Sequence, residues 1–501
     1  MTDPNHDRPT VGRRELLRAA GGVAASGAAA ALGVSAPASA AADHADRRRR
    51  RPDIVVIITD DQRADEMAAM PRTRRLLGRS GTTFENAVVT TPHCAPSRSS
   101  LHTGLLAHNH GRMANNDPTS VDFSESLAVW LQRAGYYTSH TGKVLLNEGP
   151  AFRLPGFEDW FAQASPNHYN YFDFNINDNG VVKRFEGPEN YNTDVIAAHA
   201  VDVIHAQRDS DQPLFMSIAP ITPHDTPVGT QNELAVTVDP EPAPRHVGAY
   251  ADAPLPLPPS FNEADNSDKP MSVRNRPRLT EQQVEEVTAN YRARLAALLS
   301  LDEAVESICD ALRETGRLDN TILVFTSDNG WMLGEHRYGG GKGVPYEPSI
   351  RVPLLMRGPG IPAGRVRPPV TNVDLTATFV EAAGAAAPYA LDGMPLLRPE
   401  RLRRKNLERV VPLEIDFDGR GGPFDTPNRY YGARTVDWKY VFHTHTGEEE
   451  LYHLRTDPHE LSNLAEVAEH AAVKARLKAE AKALSVARGR SCQRWVKLPS
   501  P

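Results

Sequence analysis

Two continuous hydrophobic runs stand out along the chain, and both are rich in β-branched residues. They cover residues 54–59 (IVVIIT) and 321–326 (TILVFT), and a third run covers 214–218 (LFMSI). Unbroken apolar runs of this length are typical of parallel strands buried on both faces, whereas half-exposed strands alternate apolar and polar side chains. The pattern predicts buried parallel strands over the first two runs and a strand over the third.

Helical periodicity lies between such strands, for example over residues 124–134 and 280–313. Strands that alternate with helices are typical of a parallel sheet covered on both faces. We therefore predict an α/β fold for residues 52–400, with a large mixed, mostly parallel sheet sandwiched by helices.

A smaller C-terminal domain is predicted over residues 401–501. The segment 438–442 (WKYVF) has strand character, and 468–487 forms an amphipathic helical pattern. We expect an α+β unit with a short antiparallel sheet and one helix. Within the larger domain, residues 225–278 are rich in Pro, Asp and Asn, so we expect an irregular insertion that shapes the substrate site.

The composition of the chain limits the classes of ligand that it is expected to bind. The chain has 501 residues, 24% charged residues and a net charge of −7. That length accommodates one large domain and a smaller one. The negative balance gives no support to nucleic-acid binding. Any anionic substrate must then be bound by individual lysines and arginines, which makes those near a candidate site informative.

The first 42 residues resemble an export signal. Arg13 and Arg14 precede a stretch rich in Gly and Ala, and residues 38–40 (ASA) form a cleavage site of the A-x-A type. A membrane anchor is the alternative, but few large apolar residues are present. We expect a twin-arginine signal, a secreted or cell-envelope protein, and no stable membrane span in the mature chain. Residues 43–51 are interpreted as a solvated basic tail.

The chain contains three cysteines, Cys94, Cys309 and Cys492. So few, and an odd number, argue against a disulfide framework. Whether Cys309 pairs with Cys492 stays open at this level, while Cys94 is free for chemistry.

Acidic and amide side chains follow the two longest hydrophobic runs. Asp60 and Asp61 end the first run, and Asp328 and Asn329 end the second. In open α/β sheets, ligands bind beyond the carboxyl ends of the strands, so these side chains are expected to share one site. Crowded carboxylates favour a bound cation. Oxygen donors without thiolate or imidazole suit calcium, or magnesium, better than zinc.

Cys94 begins the run Cys94-Ala95-Pro96-Ser97-Arg98. This run resembles the maturation signature of the type I, formylglycine-dependent sulfatases of the alkaline phosphatase superfamily. The resemblance implies that a formylglycine-generating enzyme oxidises Cys94 to an aldehyde. It also implies that Asp60, Asp61, Asp328 and Asn329 bind calcium together with an oxygen of the modified Cys94.

Other segments extend the resemblance over most of the chain, from about residue 52 to 464. They are residues 139–143 (SHTGK), 219–224 (APITPH), Lys342 with 346–354 (YEPSIRVPL), and 451–464 (LYHLRTDPHELSNL). Among the subgroups, the chain is similar to arylsulfatases and to N-acetylglucosamine-6-sulfatases. The latter similarity favours a carbohydrate sulfate.

The resemblance also implies roles for individual residues. Arg98 would hold the hydrated aldehyde, Lys143 and Lys342 would bind sulfate oxygens, and His224 would protonate the leaving alcohol. His336 is a weaker candidate and is not included. Many sulfatases carry a histidine two positions after the equivalent of Lys143, but here residues 144–147 read VLLN. The group that promotes sulfate release is therefore unassigned.

The sequence predicts a sulfuric ester hydrolase that cleaves aryl or carbohydrate sulfate monoesters. Hydrated formylglycine at position 94 would attack sulfur with calcium bound nearby. The partners expected are a sulfate ester, the formylglycine-generating enzyme and the twin-arginine export machinery. One alternative is a phosphonate monoester or phosphodiester hydrolase on the same scaffold. A second is a catalytically silent binding protein, against which the intact set of candidate residues argues.

Overall fold

The computed structural model describes residues 51–146, 148–231, 234–418 and 427–499. The predicted signal and most of the predicted basic tail lie outside these residues. Within the described ranges, no helix combines the length and the hydrophobicity needed to cross a membrane.

The strands follow one another along the described chain with helices, turns and loops between them. In order they are β1 (Asp53–Thr59), β2 (Thr82–Phe84), β3 (Ala87–Val88), β4 (Tyr137–Gly142), β5 (Asp159–Ala164), β6 (Phe174–Asp178), β7 (Val181–Phe185), β8 (Leu214–Ala219), β9 (Thr226–Gln231), β10 (Leu234–Val238), β11 (Thr321–Ser327), β12 (Leu354–Arg357), β13 (Gly364–Val366), β14 (Val370–Thr371), β15 (Glu408–Phe417), β16 (Asn428–Arg434), β17 (Trp438–His443), β18 (Glu449–His453) and β19 (Arg494–Val496).

The longer helices are α1 (Cys94–Thr103), α2 (Leu127–Arg133), α3 (Asn192–Ala206), α4 (Glu281–Glu314), α5 (Asn372–Ala383) and α6 (Ala471–Leu484). Short helical segments cover Asp65–Ala69, Pro71–Thr73, Arg74–Gly78, Ala107–His110, Pro244–His246, Met271–Arg274, Leu318–Asn320, Glu347–Ile350, Pro399–Leu402, Ala468–His470 and Gly489–Cys492.

One large mixed sheet forms the centre of the molecule. Its strand order over the described residues is β13-β2-β12-β11-β1-β8-β4-β5-β6-β7. The central strands from β11 to β5 are parallel, and β12, β6 and β7 flank them in antiparallel pairings. The predicted α/β class with a mostly parallel central sheet is confirmed.

The core explains why β1 is an unbroken apolar run. Ile54, Val56 and Ile58 belong to the cluster on one face of the sheet, while Val55 and Ile57 belong to the cluster on the other face. Because successive side chains of a strand point to opposite faces, burial of both faces requires apolar residues at every position.

Helix α4 covers one of these faces. A capping box between Thr280 and Gln283 fixes its first turn. Leu298, Val305 and Ile308 of its inner face are buried in the same cluster as Val55 and Ile57. The predicted helix over 280–313 is thus confirmed within one residue at each end.

The C-terminal part is an antiparallel sheet with strand order β18-β17-β16-β15-β19. Leu477 and Leu484 of α6 pack with Tyr440 and Leu451 of the sheet, which confirms the predicted sheet and helix. Contacts also tie this sheet to the chain around α1. His108 Nδ1 lies 2.6 Å from Glu414 Oε2, and its Nε2 lies 2.8 Å from a backbone carbonyl oxygen.

The predicted irregular insertion, residues 225–278, contains regular structure. Strands β9 and β10 pair as an antiparallel hairpin, and Met271–Arg274 forms a short helix. The predicted irregular insertion therefore includes a hairpin and a short helix, and its role in shaping the substrate site stays a prediction. The hairpin pairing satisfies backbone groups that a loop would leave to solvent.

The three cysteines do not form a bridge. Cys94, Cys309 and Cys492 are each buried with a free thiol. The pairing that the sequence left open between Cys309 and Cys492 is not present.

Candidate active site

Acidic and amide side chains meet at the carboxyl edge of the central sheet. Strands β1 and β11 pair in register, with Thr59 opposite Ser327, so the residues that follow them are level. The Asp61 backbone N–H donates to Asp328 Oδ1 at 3.2 Å, and Asn329 Nδ2 donates to Asp61 Oδ1 at 2.6 Å. The structure therefore brings together the acidic strand ends that lie far apart in sequence.

Asp61 adopts an unusual backbone conformation. Its φ is 64°, in the left-handed region that a non-glycine residue rarely occupies. Arg294, which is fully buried on α4, donates from Nη2 to the Asp61 carbonyl oxygen at 2.5 Å. The same guanidinium pairs with Glu66, at 2.6 Å from Nε to Oε1. A buried ion pair thus supports the turn that presents the Asp61 carboxylate.

Cys94 is the first residue of α1 and is completely buried. Its Sγ lies 3.4 Å from Asp60 Oδ1 and 2.8 Å from Lys342 Nζ. Burial and the Asp60 carboxylate raise the pKa of the Cys94 thiol to about 12. A thiol in this environment is protonated at neutral pH and is a poor nucleophile as such.

Arg98 follows one turn later on α1 and is also buried. Its Nε donates to Asp328 Oδ2 at 2.7 Å, and its Nη1 donates to the Lys143 carbonyl oxygen at 3.0 Å. Arg98 therefore fixes the Asp328 carboxylate against the end of β4.

Two lysines from distant parts of the chain each pair with one of the two adjacent carboxylates, Asp60 and Asp61. Lys143 follows β4, where Gly142 has a φ of 105° and an added Cβ would lie 2.2 Å from the Ala219 carbonyl oxygen. Lys143 Nζ lies 2.5 Å from Asp60 Oδ2. Lys342 pairs with Asp61 as well as with the Cys94 sulfur.

The aspartates and lysines of the cluster stabilise one another's charged forms. Burial raises the pKa of Asp60, but the Lys143 ammonium and further cations outweigh it, so the net pKa lies well below its usual range. The pKa of Asp61 is lowered in the same way, mainly by Lys342 against the cost of burial. Burial opposes the charge on Lys143 and Lys342, yet the carboxylates raise both pKa values. The site is therefore a buried cluster of ionised carboxylates and ammonium groups.

His224 lies on the loop between β8 and β9, beside Asp61. Its Nδ1 lies 2.5 Å from the Asp225 carbonyl oxygen, and its Nε2 lies 3.5 Å from Asp61 Oδ2. Burial lowers its pKa, an effect that Asp61 and Asp60 only partly oppose. Because the carbonyl oxygen can only accept, Nδ1 carries a proton and Nε2 is the atom that exchanges one.

His336 does not join this cluster. Its Nδ1 lies 2.7 Å from Glu263 Oε2, and its ring packs 4.2 Å from the ring of Tyr346. This position agrees with the decision to leave His336 out of the predicted catalytic residues.

The sequence missed two residues of the site, Tyr169 and Arg294. The Tyr169 ring stacks on His224 with centroids 4.4 Å apart, and Lys143 Nζ lies 4.6 Å from the Tyr169 centroid. Within the described part of the chain, the buried Tyr169 hydroxyl makes no geometrically defined hydrogen bond. No sequence signal pointed to Tyr169, whereas an arginine on the apolar face of α4 could have drawn attention to Arg294.

The oxygen atoms of the cluster fit a hard divalent cation. Carboxylate oxygens of Asp60 and Asp61 lie within 4.8 Å of each other and of the Cys94 sulfur and a His224 ring nitrogen. Asp61 Oδ2 and Asn329 Oδ1 are buried and lack a hydrogen-bond partner among the described residues. Unpartnered buried oxygens are costly, and coordination of a cation would satisfy them.

A cavity of about 630 Å³ opens beside the cluster. Its size is in the range of small-molecule binding sites. His224 and Lys342 line it on the side of the carboxylates, and Trp331 adds an aromatic wall. Acidic and amide side chains line it elsewhere: Asp225, Asp239, Gln283, Glu286 and Asn290.

Comparisons with known families agree with this geometry. A family model described as Sulfatase matches residues 52–385. A second model, described as N-sulphoglucosamine sulphohydrolase, C-terminal, matches residues 334–487. Together these matches cover the large sheet and strands β15 to β18 of the C-terminal sheet.

Curated relatives include sulfatases of different kinds. The chain is 34% identical to the arylsulfatase of Volvox carteri, over 86% of this chain and 73% of the relative. It is 29% identical to human N-acetylglucosamine-6-sulfatase, over 80% of this chain and 78% of that protein. It is 33% identical to a putative extracellular sulfatase Sulf-1 homolog of Caenorhabditis elegans, over 70% of this chain but 48% of that protein.

A solved structure shares the fold. BT4656, in complex with its substrate D-glucosamine-2-N,6-O-disulfate, superposes with a TM-score of 0.73 at 23% identity. The match covers 86% of this chain and 97% of BT4656.

Proposed function

The chain belongs to the sulfatase family and is a sulfuric ester hydrolase, and we propose that it cleaves aryl or carbohydrate sulfate monoesters using a formylglycine at position 94 and a bound calcium ion. The observation that carries the proposal is the surroundings of Cys94. The side chain is fully buried between Asp60 and Lys342, at the start of a helix and inside a cluster of charged groups.

The chemistry of position 94 favours oxygen over sulfur as the nucleophile. A thiol whose pKa is raised to about 12 would be largely protonated at neutral pH. Hydrated formylglycine supplies a hydroxyl nucleophile at the same position. Asp60 Oδ1 lies 3.4 Å from Sγ as an acceptor and would orient that hydroxyl.

The proposed calcium ligands are Asp60, Asp61, Asp328, Asn329 and an oxygen of modified residue 94. The two unpartnered oxygens on Asp61 and Asn329 support this set. When bound, calcium supplies positive charge that polarises the sulfuryl group and favours the ionised nucleophile. Arg98 contributes by holding the Asp328 carboxylate in place.

Lys143 and Lys342 are the proposed sulfate-binding cations. Both lie beside residue 94 or its carboxylate neighbour, and Asp60 and Asp61 keep them charged despite burial. Tyr169 is proposed as a further donor. Burial raises the pKa of its phenol, which therefore stays protonated, and Lys143 lies over its ring.

His224 is the proposed proton donor to the leaving alcohol. Its Nδ1 donates to the Asp225 carbonyl, and Nε2 faces the cluster, so in the imidazolium form Nε2 carries the second proton and can pass it to an oxygen in the cavity, which leaves the neutral ring. Stacking against Tyr169 fixes the imidazole plane.

The 630 Å³ cavity is the proposed site for the alcohol part of the substrate. Trp331 offers a stacking surface for a sugar or aryl ring, and the carboxylate and amide groups can accept or donate to hydroxyls. Sugar sulfates are cleaved by the human relative and bound by BT4656, which supports a carbohydrate sulfate.

Maturation and export form the last part of the proposal. We infer that a formylglycine-generating enzyme modifies Cys94 in the cytoplasm and that the folded protein leaves by the twin-arginine route to the cell envelope or medium. Arg13 and Arg14 motivate the twin-arginine route, and the similarity to a putative extracellular sulfatase supports secretion. Replacing both arginines with lysine should keep the protein inside the cell.

The test combines mass spectrometry with turnover. The peptide containing residue 94 should carry an aldehyde, and the protein should hydrolyse 4-nitrophenyl sulfate or N-acetylglucosamine-6-sulfate. Cys94→Ala should abolish turnover, while Cys309→Ala, at another buried free cysteine, should retain it. An active protein with an unmodified thiol at Cys94 would refute the mechanism. Faster turnover of a phosphonate monoester or phosphodiester than of any sulfate ester would favour the alternative activity.

A further inference from the structure

A second groove lies away from the candidate active site. It has a volume of about 980 Å³ and shares no lining residue with the 630 Å³ cavity. Its walls are the helical segment 65–79 and strands β2, β12 and β13, the three strands at one end of the large sheet. Apart from Glu85, the charged side chains that line it are six arginines: Arg74, Arg75, Arg79, Arg351, Arg365 and Arg367.

Two of these six arginines form ion pairs with residues that the structure describes. Glu85 is the acidic side chain among the described groove residues, and it pairs with Arg365 at 2.7 Å. Arg75 pairs with Glu306, also at 2.7 Å. The remaining four arginines make no side-chain ion pair with any residue that the structure describes, and all of them are exposed. Such a concentration is unexpected in a chain with a net charge of −7.

We propose that this arginine groove binds a sulfated polysaccharide chain. A guanidinium presents paired N–H donors that match the oxygens of sulfate groups, and several in a row suit a polymer with repeated anions. A single sulfate would occupy only a small part of the groove. The choice of sulfate over phosphate rests on the proposed function and on the proposed export of the protein.

The groove and the cavity would then have separate functions. The groove would retain the enzyme on an anionic polymer, and the 630 Å³ cavity would accept the sulfated unit to be cleaved. Electrostatic attraction of this kind raises the association rate and depends strongly on salt concentration.

The test measures binding of the complete exported protein to dextran sulfate and to unsulfated dextran of the same length. The variant is Arg74→Gln/Arg79→Gln/Arg367→Gln, none of which belongs to the candidate active site. The matched control is Arg208→Gln/Arg398→Gln/Arg490→Gln, which removes the same charge from exposed positions outside the groove.

Wild-type protein should bind dextran sulfate and not dextran, with affinity that falls as salt rises. The groove variant should bind at least about tenfold more weakly, and its dependence on salt should fall by roughly two to three units of slope. The control variant should bind within about twofold of wild type. Hydrolysis of 4-nitrophenyl sulfate should be unchanged in both, because that small ester needs only the cavity.

Equal binding by the groove variant and wild type, or equal loss in the control variant, would overturn the inference. So would binding of single-stranded polydeoxythymidine as tight as that of dextran sulfate with the same dependence on the groove, because the site would then select any polyanion. A wild-type protein that binds dextran sulfate yet cleaves no sulfate ester would refute the proposed function and leave the groove assignment standing.

Discussion

Replacing Arg294 with methionine is expected to destabilise the protein and to loosen the turn at Asp61. The arginine is fully buried, and three of its groups donate: Nε and Nη2 to Glu66, Nη2 to the Asp61 carbonyl, and Nη1 to the Pro223 carbonyl. Methionine has a similar length and keeps most of the packing. The change therefore removes charge and hydrogen bonds more than it removes volume.

The magnitude follows from what the substitution leaves behind. Removing one partner of a buried ion pair costs about 3–5 kcal/mol, because the Glu66 carboxylate stays buried without compensation. The lost donors to two carbonyl oxygens contribute in the same direction. For a chain of 501 residues the unfolding entropy is about 1 kcal/mol per kelvin. We therefore expect the melting temperature of Arg294→Met to fall by about 4 °C.

Thermal unfolding followed by circular dichroism measures this shift. Glu66→Gln/Arg294→Met should recover part of the loss, because no uncompensated carboxylate then remains. Arg133→Met removes an exposed arginine that pairs with Glu125 at 2.7 Å, and its shift should stay below about 1 °C. A fall of less than 1 °C for Arg294→Met, or no recovery in the double variant, would refute the reasoning.

Three further predictions address the proposed site and the contact between the two sheets. Tyr169→Phe should lower kcat/KM for a sulfate ester about 10- to 100-fold through loss of a donor to a charged group, and equal kcat/KM would contradict that role. As a control, Tyr191→Phe should not lower kcat/KM, because the Tyr191 hydroxyl donates to the backbone carbonyl oxygen of Glu241. Calcium at about a hundredfold excess over its Kd should stabilise the wild type by about 2.7 kcal/mol. Asn329→Ala should lose most of this calcium-induced rise in melting temperature, and a full rise would argue against its role as ligand. His108 has a raised pKa: burial lowers it, but the bond to Glu414 raises it more. Its stabilising effect is complete below the unfolded pKa and is lost as pH rises through the higher folded pKa. The difference in melting temperature between wild type and His108→Gln should therefore shrink as pH rises through the raised pKa of His108, and a constant difference would contradict the ionic contribution.

The strands at the centre of the sheet could be predicted closely from sequence. Residues 54–59 and 321–326 became β1 and β11 with a change of at most one residue at either end. Their unbroken apolar pattern is a local property that burial on both faces imposes. The hairpin of β9 and β10 was missed because Pro227 and Gly229 interrupt any strand pattern. Proline is tolerated there because the two strands form a sheet of their own.

For the candidate site, too, short motifs could be recognised from the sequence, whereas contacts between distant segments could not. Cys94 with Arg98, and the acids at the strand ends, were found from short local patterns. That Arg98 bonds to Asp328, 230 positions away, could not be read from either segment. The contact depends on the order of strands in the sheet, and that order follows from packing of the whole core.

The sequence by itself determined the α/β class, the family and the set of candidate catalytic residues, because each depends on residue types at short spacing. The tertiary structure decided which ammonium group faces which carboxylate, and it added Tyr169 and Arg294 to the site. It also gathered six arginines from separate segments into one groove. Electrostatic interactions depend on distance in space, and the fold alone sets the distances between segments that lie far apart in the chain.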